Sequence, residues 1–175
     1  MTSSDNSLEK LASYLDGSHN PDLPDMDKMI EFGLDVLTNS SIGMELVMFV
    51  REHDLKIRVI RGPEETSYAA DPHQAIISLN STNPAGPARF VLLLTGAIRD
   101  VMQLHEGLPT PGPSENMTKA VEKMRQKQGD KVSYMCAVAY EINQISSFSA
   151  YTLVEELKNM GYAEDVERFL QHVDH

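Results

Sequence analysis

Between residues 55 and 61 the chain changes its period. Leu55-Lys56-Ile57-Arg58-Val59-Ile60-Arg61 alternates apolar and basic side chains, the pattern of a half-buried strand. The long segments on either side repeat at three and four residues, as helices do. A further apolar stretch, Ala75-Ile76-Ile77-Ser78-Leu79-Asn80, reads as a second strand, and a short one begins at Tyr68, after the turn Gly62-Pro63-Glu64-Glu65. So few short strands cannot enclose a core, so helices must cover the sheet. The expectation is an α+β fold, helix-rich, with a small antiparallel sheet covered on one face.

The helical segments follow from apolar spacing and breakers. Residues 4–16 place Leu8, Leu11, Ala12 and Leu15 on one face and stop at Asp16-Gly17; residues 18–22 form a turn. A second helix presents Met26, Met29, Ile30, Gly33, Leu34 and Leu37. After the polar link Thr38-Asn39-Ser40-Ser41, a third runs from Ile42 to His53, apolar nearly all round and therefore expected to be buried. A long apolar helix is predicted from about Ala88 to His105, after the Pro/Gly-rich loop 81–87, and a loop over 107–114 follows it. Helix 115–128 carries Met117, Ala120, Val121 and Met124 on one side and a solvated Lys/Arg/Gln face on the other. Gly129-Asp130 reads as a break, residues 131–160 as a long helix closed by Gly161, and Val166, Phe169, Leu170 and Val173 as the stripe of a last helix. The chain reads as one domain over 1–175: N-terminal helices 1–39, a core over 40–161 and a C-terminal helix 162–175.

Composition excludes several classes. With a formal net charge of −11, the chain is a poor ligand for nucleic acid, whose binding rests on Lys and Arg neutralising phosphates. Apolar runs such as Phe90 to Leu94 fall far short of a membrane span, and Met1-Thr2-Ser3-Ser4-Asp5-Asn6 has neither a basic start nor an apolar core. A cytoplasmic location is expected. The single cysteine, Cys136, excludes an internal disulfide and a Cys-based zinc cluster; among apolar neighbours it reads as an inert buried thiol.

Catalytic patterns are missing. No G-x-S-x-G, P-loop or G-x-G-x-x-G occurs, and no two of the six histidines (19, 53, 73, 105, 172, 175) are four apart. His105-Glu106 opens like H-E-x-x-H, but Gly107-Leu108-Pro109 ends the helix that would present the second ligand. One residue stands out physically. Glu141 falls on the stripe of Tyr134, Val138, Ile145 and Phe148, with Asn143 and Gln144 one step around. A carboxylate set into an apolar face requires a partner: a basic side chain, backbone donors or a bound ligand. Arg99, also on a mainly apolar helix, is the candidate.

The order of elements, together with these residues, resembles a family of uncharacterised bacterial zincin-like metallopeptidases. There the helix after the strands carries L-x-H-E-x-R-H-x-x-Q and a later helix carries E-A-D-A. Here Leu93-Leu94-Thr95-Gly96-Ala97-Ile98-Arg99-Asp100-Val101-Met102-Gln103 occupies the first block, Glu141-Ile142-Asn143-Gln144 the second, and Leu153 to Gly161 is also similar. Arg99 and Gln103 match. Gly96 and Asp100 replace the two zinc-binding histidines, Ala97 replaces the general-base glutamate, and Glu141 stands at the third-ligand position. A catalytic zinc needs about three protein ligands and a proton acceptor for its water, and this set supplies neither. The resemblance therefore implies a catalytically inactive zincin-like protein without metal or cofactor. It would bind a protein or small ligand in the former active-site cleft of Gly96, Ala97, Arg99, Asp100, Gln103, Glu141 and Asn143. The alternative is an acidic helical adaptor or chaperone-like partner protein acting through a surface. Neither nucleic acid nor membrane is an expected partner; a homo-oligomer is compatible with both readings.

Overall fold

The computed structural model describes residues 26–79, 86–107, 115–145 and 153–173. The helix expected over 4–16 and the turn over 18–22 lie outside the described residues.

Helix α1, Met26–Leu37, buries Met29, Val36 and Leu37. Gly33 lets α1 approach the central helix closely, because a Cβ there would stand 2.7 Å from Leu94 Cδ2 and 2.9 Å from Phe90 Cε1. Helix α2, Ser41–Glu52, starts at Ser40, whose hydroxyl accepts from the Gly43 N–H at 3.0 Å. It buries Gly43, Leu46, Val47 and Phe49 but leaves Met44 and Met48 exposed. The expectation of burial all round fails because helix neighbours reach only one side.

The sheet has the order β1-β3-β2, with β1 Lys56–Arg61, β2 Thr66–Asp71 and β3 Gln74–Leu79. It is mixed rather than wholly antiparallel. β2 and β3 form a tight antiparallel hairpin, Ser67 opposite Ile77, while β1 runs parallel to β3, Val59 opposite Ile77. The chain after β1 crosses the end of β3: the Gly62 N–H donates to Leu79 O at 3.1 Å, and Ser78 Oγ donates to Glu64 O at 3.0 Å. The most apolar strand takes the centre, with Ala75, Ile77 and Leu79 buried. Charged Lys56, Arg58 and Arg61 fall to an edge strand, where charge discourages further pairing.

Helix α3, Gly86–Glu106, is the axis of the molecule; every residue from Phe90 to Arg99 is buried. It packs on β2, β3, α1, α2 and the long helix α4, Met117–Ile145. α4 runs unbroken through Gly129-Asp130. Nothing lies within 4 Å of a Cβ built at Gly129, so that glycine costs propensity without ending the helix. Of the long helix expected over 131–160, α4 is described to Ile145, and residues 146–152 lie outside the described residues; α5, Leu153–Leu157, leads through the turn Lys158–Tyr162, where the chain kinks, into α6, Ala163–Val173. Gly161 within that turn has φ 102°, a left-handed conformation that glycine adopts at little cost.

Candidate functional site

On α3, Gly96, Arg99, Asp100 and Gln103 face α4. The Arg99 guanidinium is buried and fully engaged. Nε donates to Asp130 Oδ2 at 2.6 Å and Nη2 to Oδ1 at 3.1 Å, while Nη1 and Nη2 each donate to Glu106 at 2.8 Å. The guanidinium carbon also lies 4.2 Å from the centre of the Tyr134 ring. Gln103 Nε2 donates to Lys127 O and to Asp130 Oδ2, both at 2.8 Å. Burial pushes the Asp130 carboxyl up, but the hydrogen bonds from Arg99 and Gln103 outweigh it and hold it below the usual range. This is a clamp between two helices.

Gly96 serves a second clamp. Lys131 Nζ donates to Asp100 Oδ2 at 2.7 Å and to Ser67 O at 3.0 Å. A Cβ at Gly96 would meet Lys131 Cε at 2.7 Å, Ser67 Oγ at 3.3 Å and Met135 Sδ at 3.4 Å. On this side of Gly96 the expected cleft is thus occupied by a lysine stem. Burial holds the Asp100 carboxyl above its usual range despite Lys131. A cavity of about 120 Å³ adjoins, lined by Ser67, Arg89, Lys131, Met135 and Tyr162 among others. That is room for a few waters rather than a metabolite of ordinary size. The cations on its wall are already paired: Lys131 with Asp100, and Arg89 with Glu156 at 2.6 Å and Glu65 at 3.2 Å.

Glu141 is elsewhere. It accepts from Ser40 Oγ at 3.1 Å, the Ser41 N–H at 3.1 Å, Ser41 Oγ at 2.7 Å and the Ile42 N–H at 3.2 Å. It caps the first turn of α2, where orphan donors and the helix dipole favour an anion. Ten positions separate Lys131 from Glu141, about 15 Å along the helix. Glu141 therefore does not face Gly96, and its expected partner Arg99 is engaged by Asp130 and Glu106. Of the other expected cleft residues, Ala97 is buried in the apolar core, and Asn143 Oδ1 is buried without a hydrogen-bond partner among the described residues.

The partners that sequence reasoning missed are Glu106, Asp130, Lys131 and Ser67. Asp130 was hidden behind Gly129, because the pair reads as a breaker. Had the helix been taken as continuous, Asp130 and Lys131 would have marked the turn that meets Arg99 and Asp100.

Other chemistry is thin. His53 and His105 meet edge to face, ring centres 4.7 Å apart, and His73 lies 6.2 Å from His105. Backbone carbonyls hold two of these rings: His53 Nδ1 contacts Phe49 O at 3.1 Å and His105 Nε2 contacts Pro72 O at 2.7 Å. Among the described residues, no three His, Cys, Asp or Glu side chains form a group that could hold a metal ion. Burial pushes the Cys136 thiol up to about 11, the opposite of an activated nucleophile. No helix among the described residues is long and apolar enough to cross a membrane.

The remaining candidate is a surface. From Met117 to Lys131 no residue of α4 is buried. Met117, Val121 and Met124 share one face and are 81%, 41% and 62% exposed. The helix start is firm, since Asn116 Oδ1 accepts from the Lys119 N–H at 2.9 Å. No family model, curated protein or solved structure matches this chain.

Proposed function

We propose that this protein is a non-catalytic interaction protein, an acidic helical adaptor whose working surface is the first half of α4. The observation that carries this reading is the exposure of Met117, Val121 and Met124 together on one face of a capped helix. Scattered apolar residues are ordinary on a protein surface; a row of them on one helix face is the form of a docking site. Methionine suits such a site, because its flexible thioether adapts to a partner's shape.

A second reading keeps the inactive zincin-like protein and places its ligand in the small cavity beside Gly96. It draws on that cavity, whose wall includes Met160 and Tyr162 on either side of the kink at Gly161. The paired state of Arg89 and Lys131 favours the surface instead.

Co-purification from the native host discriminates the two. Under the surface reading, changing Met117, Val121 and Met124 together to Glu removes co-purifying proteins, whereas Tyr162→Phe with Met160→Ala does not. The reverse result would assign the function to the cavity.

A further inference from the structure

Strand β1 lies at one edge of the sheet, and its outer side is open. In its parallel ladder the Lys56 N–H donates to His73 O at 2.9 Å and the Gly62 N–H to Leu79 O at 3.1 Å. Backbone groups alternate sides along a strand, so Lys56, Arg58 and Ile60 turn theirs toward β3. Ile57, Val59 and Arg61 turn theirs outward, and among the described residues those N–H and C=O groups meet no partner. Apart from β3, no element among the described residues packs broadly on β1.

The two faces of this strand differ. The register sets Ile57 beside Ala75 and Val59 beside Ile77, on the side that packs on the core. Lys56 and Arg58 stand on the opposite face, exposed, beside Gln74 and Ile76. Lys56 approaches Asp54 at 3.7 Å, but those side chains are 72% and 92% exposed, so the pair is weak. Arg58 and Arg61 have no ion-pair partner among the described residues. Between Asp54 and Glu64 the chain carries the cations Lys56, Arg58 and Arg61 and no acid. The whole chain has a net charge of −11, but charges more than about 8 Å away are largely screened at physiological salt. The strand's own cations therefore set the local sign.

We propose that the outer edge of β1 receives an extended, acidic segment of a partner protein as an added strand. This site is separate from the α4 surface and does not depend on it. The outward groups of Ile57, Val59 and Arg61 supply the ladder hydrogen bonds. Lys56 and Arg58 oppose acidic side chains on the open face, and Ile57 and Val59 oppose apolar ones on the other. The partner segment therefore alternates acidic and apolar residues. A second copy is disfavoured, because β1 laid against itself sets cations opposite cations. Nucleic acid is disfavoured too, since a phosphate backbone has no alternating donors and acceptors to complete a strand ladder.

The test titrates the full-length protein into a labelled peptide of the length of β1 that alternates Val and Glu. A twin with Lys in place of Glu, and a peptide with the same Val and Glu gathered into two blocks, serve as comparators. The alternating acidic peptide is expected to bind, with both comparators weaker by about tenfold or more. Amide hydrogen exchange reads the mode of binding. The Ile57 and Val59 amides should slow when the peptide binds, while those of Arg58 and Ile60, which face β3 throughout, stay unchanged. Val59→Pro removes an outward donor without touching the ladder to β3 and should abolish binding. If that variant melts early, Lys56→Glu with Arg58→Glu, both on the open face, should reverse the preference between the Glu and Lys peptides. Equal binding of the Glu and Lys peptides overturns the inference, as does equal binding of the alternating and two-block peptides. So does absence of binding, or binding that slows neither outward amide. Slow exchange at Ile57 and Val59 in the free protein also overturns it. Such protection assigns the edge to a second copy if it fades on dilution, and to the chain's own residues if it persists.

Discussion

Lys131 occupies the volume that a side chain at Gly96 would need: a Cβ at residue 96 would stand 2.7 Å from Lys131 Cε. Gly96→Ala therefore sets two effects against each other. Helix propensity improves by about 1 kcal/mol, but the Lys131 stem must shift, which strains its bonds to Asp100 and the Ser67 carbonyl, and Ser67 Oγ and Met135 Sδ crowd the added methyl at 3.3 and 3.4 Å. The crowding is expected to outweigh the propensity, and the variant to lose up to about 1 kcal/mol in denaturant unfolding. In a Lys131→Ala background the same change should stabilise. Stabilisation by Gly96→Ala in both backgrounds would show that the glycine does not serve the lysine.

Arg99 should be the most costly polar residue to remove. Arg99→Met leaves Asp130 and Glu106 without their cation, and because those side chains are 32% and 45% exposed, the loss should be about 2–3 kcal/mol, below the 3–5 of a fully buried pair. Met at 99 with Asn at 130 should recover part of it. A melting curve unchanged by Arg99→Met would mean that the clamp does not hold α3 to α4.

Acid should weaken the protein partly through Glu141. Burial alone would raise its carboxyl, but hydrogen bonds from Ser41, Ile42 and Ser40 outweigh that and hold it below its ordinary 4.5. A folded value below the unfolded one means stability present above about 4.5 and lost as pH falls through the folded value. Glu141→Gln should be less stable at neutral pH, by about 1 kcal/mol as for a lost helix cap, and should lose less than wild type on acidification. Asp100, held high by burial, has the opposite sign: its contribution is present at low pH and lost as pH rises through its folded value, so Asp100→Asn should steepen the acid loss. Parallel pH profiles for wild type and Glu141→Gln would contradict the cap.

Gly129 offers a direct check on the continuity of α4. With nothing within 4 Å of an added Cβ, Gly129→Ala should stabilise by about 0.5–1 kcal/mol. A destabilised variant would mean that the chain turns at Gly129-Asp130.

Local pattern was enough to locate most of the elements. The alternation of residues 55–61, the stripes of α1 and α6 and the apolar length of α3 are properties of neighbours in sequence, and burial of one face follows from them directly. That Glu141 needed a partner was legible too, because a carboxylate on an apolar stripe must be compensated. Which partner it found was not. Four donors at the α2 N-terminus claim it, and Arg99 takes Asp130 and Glu106, because the register of α3 against α4 decides which turns meet. The parallel placing of β1 beside β3, the lysine filling the space at Gly96 and the exposure of the first half of α4 have the same origin. Each depends on where one element stops relative to another distant in sequence, a quantity that packing sets and local periodicity does not carry.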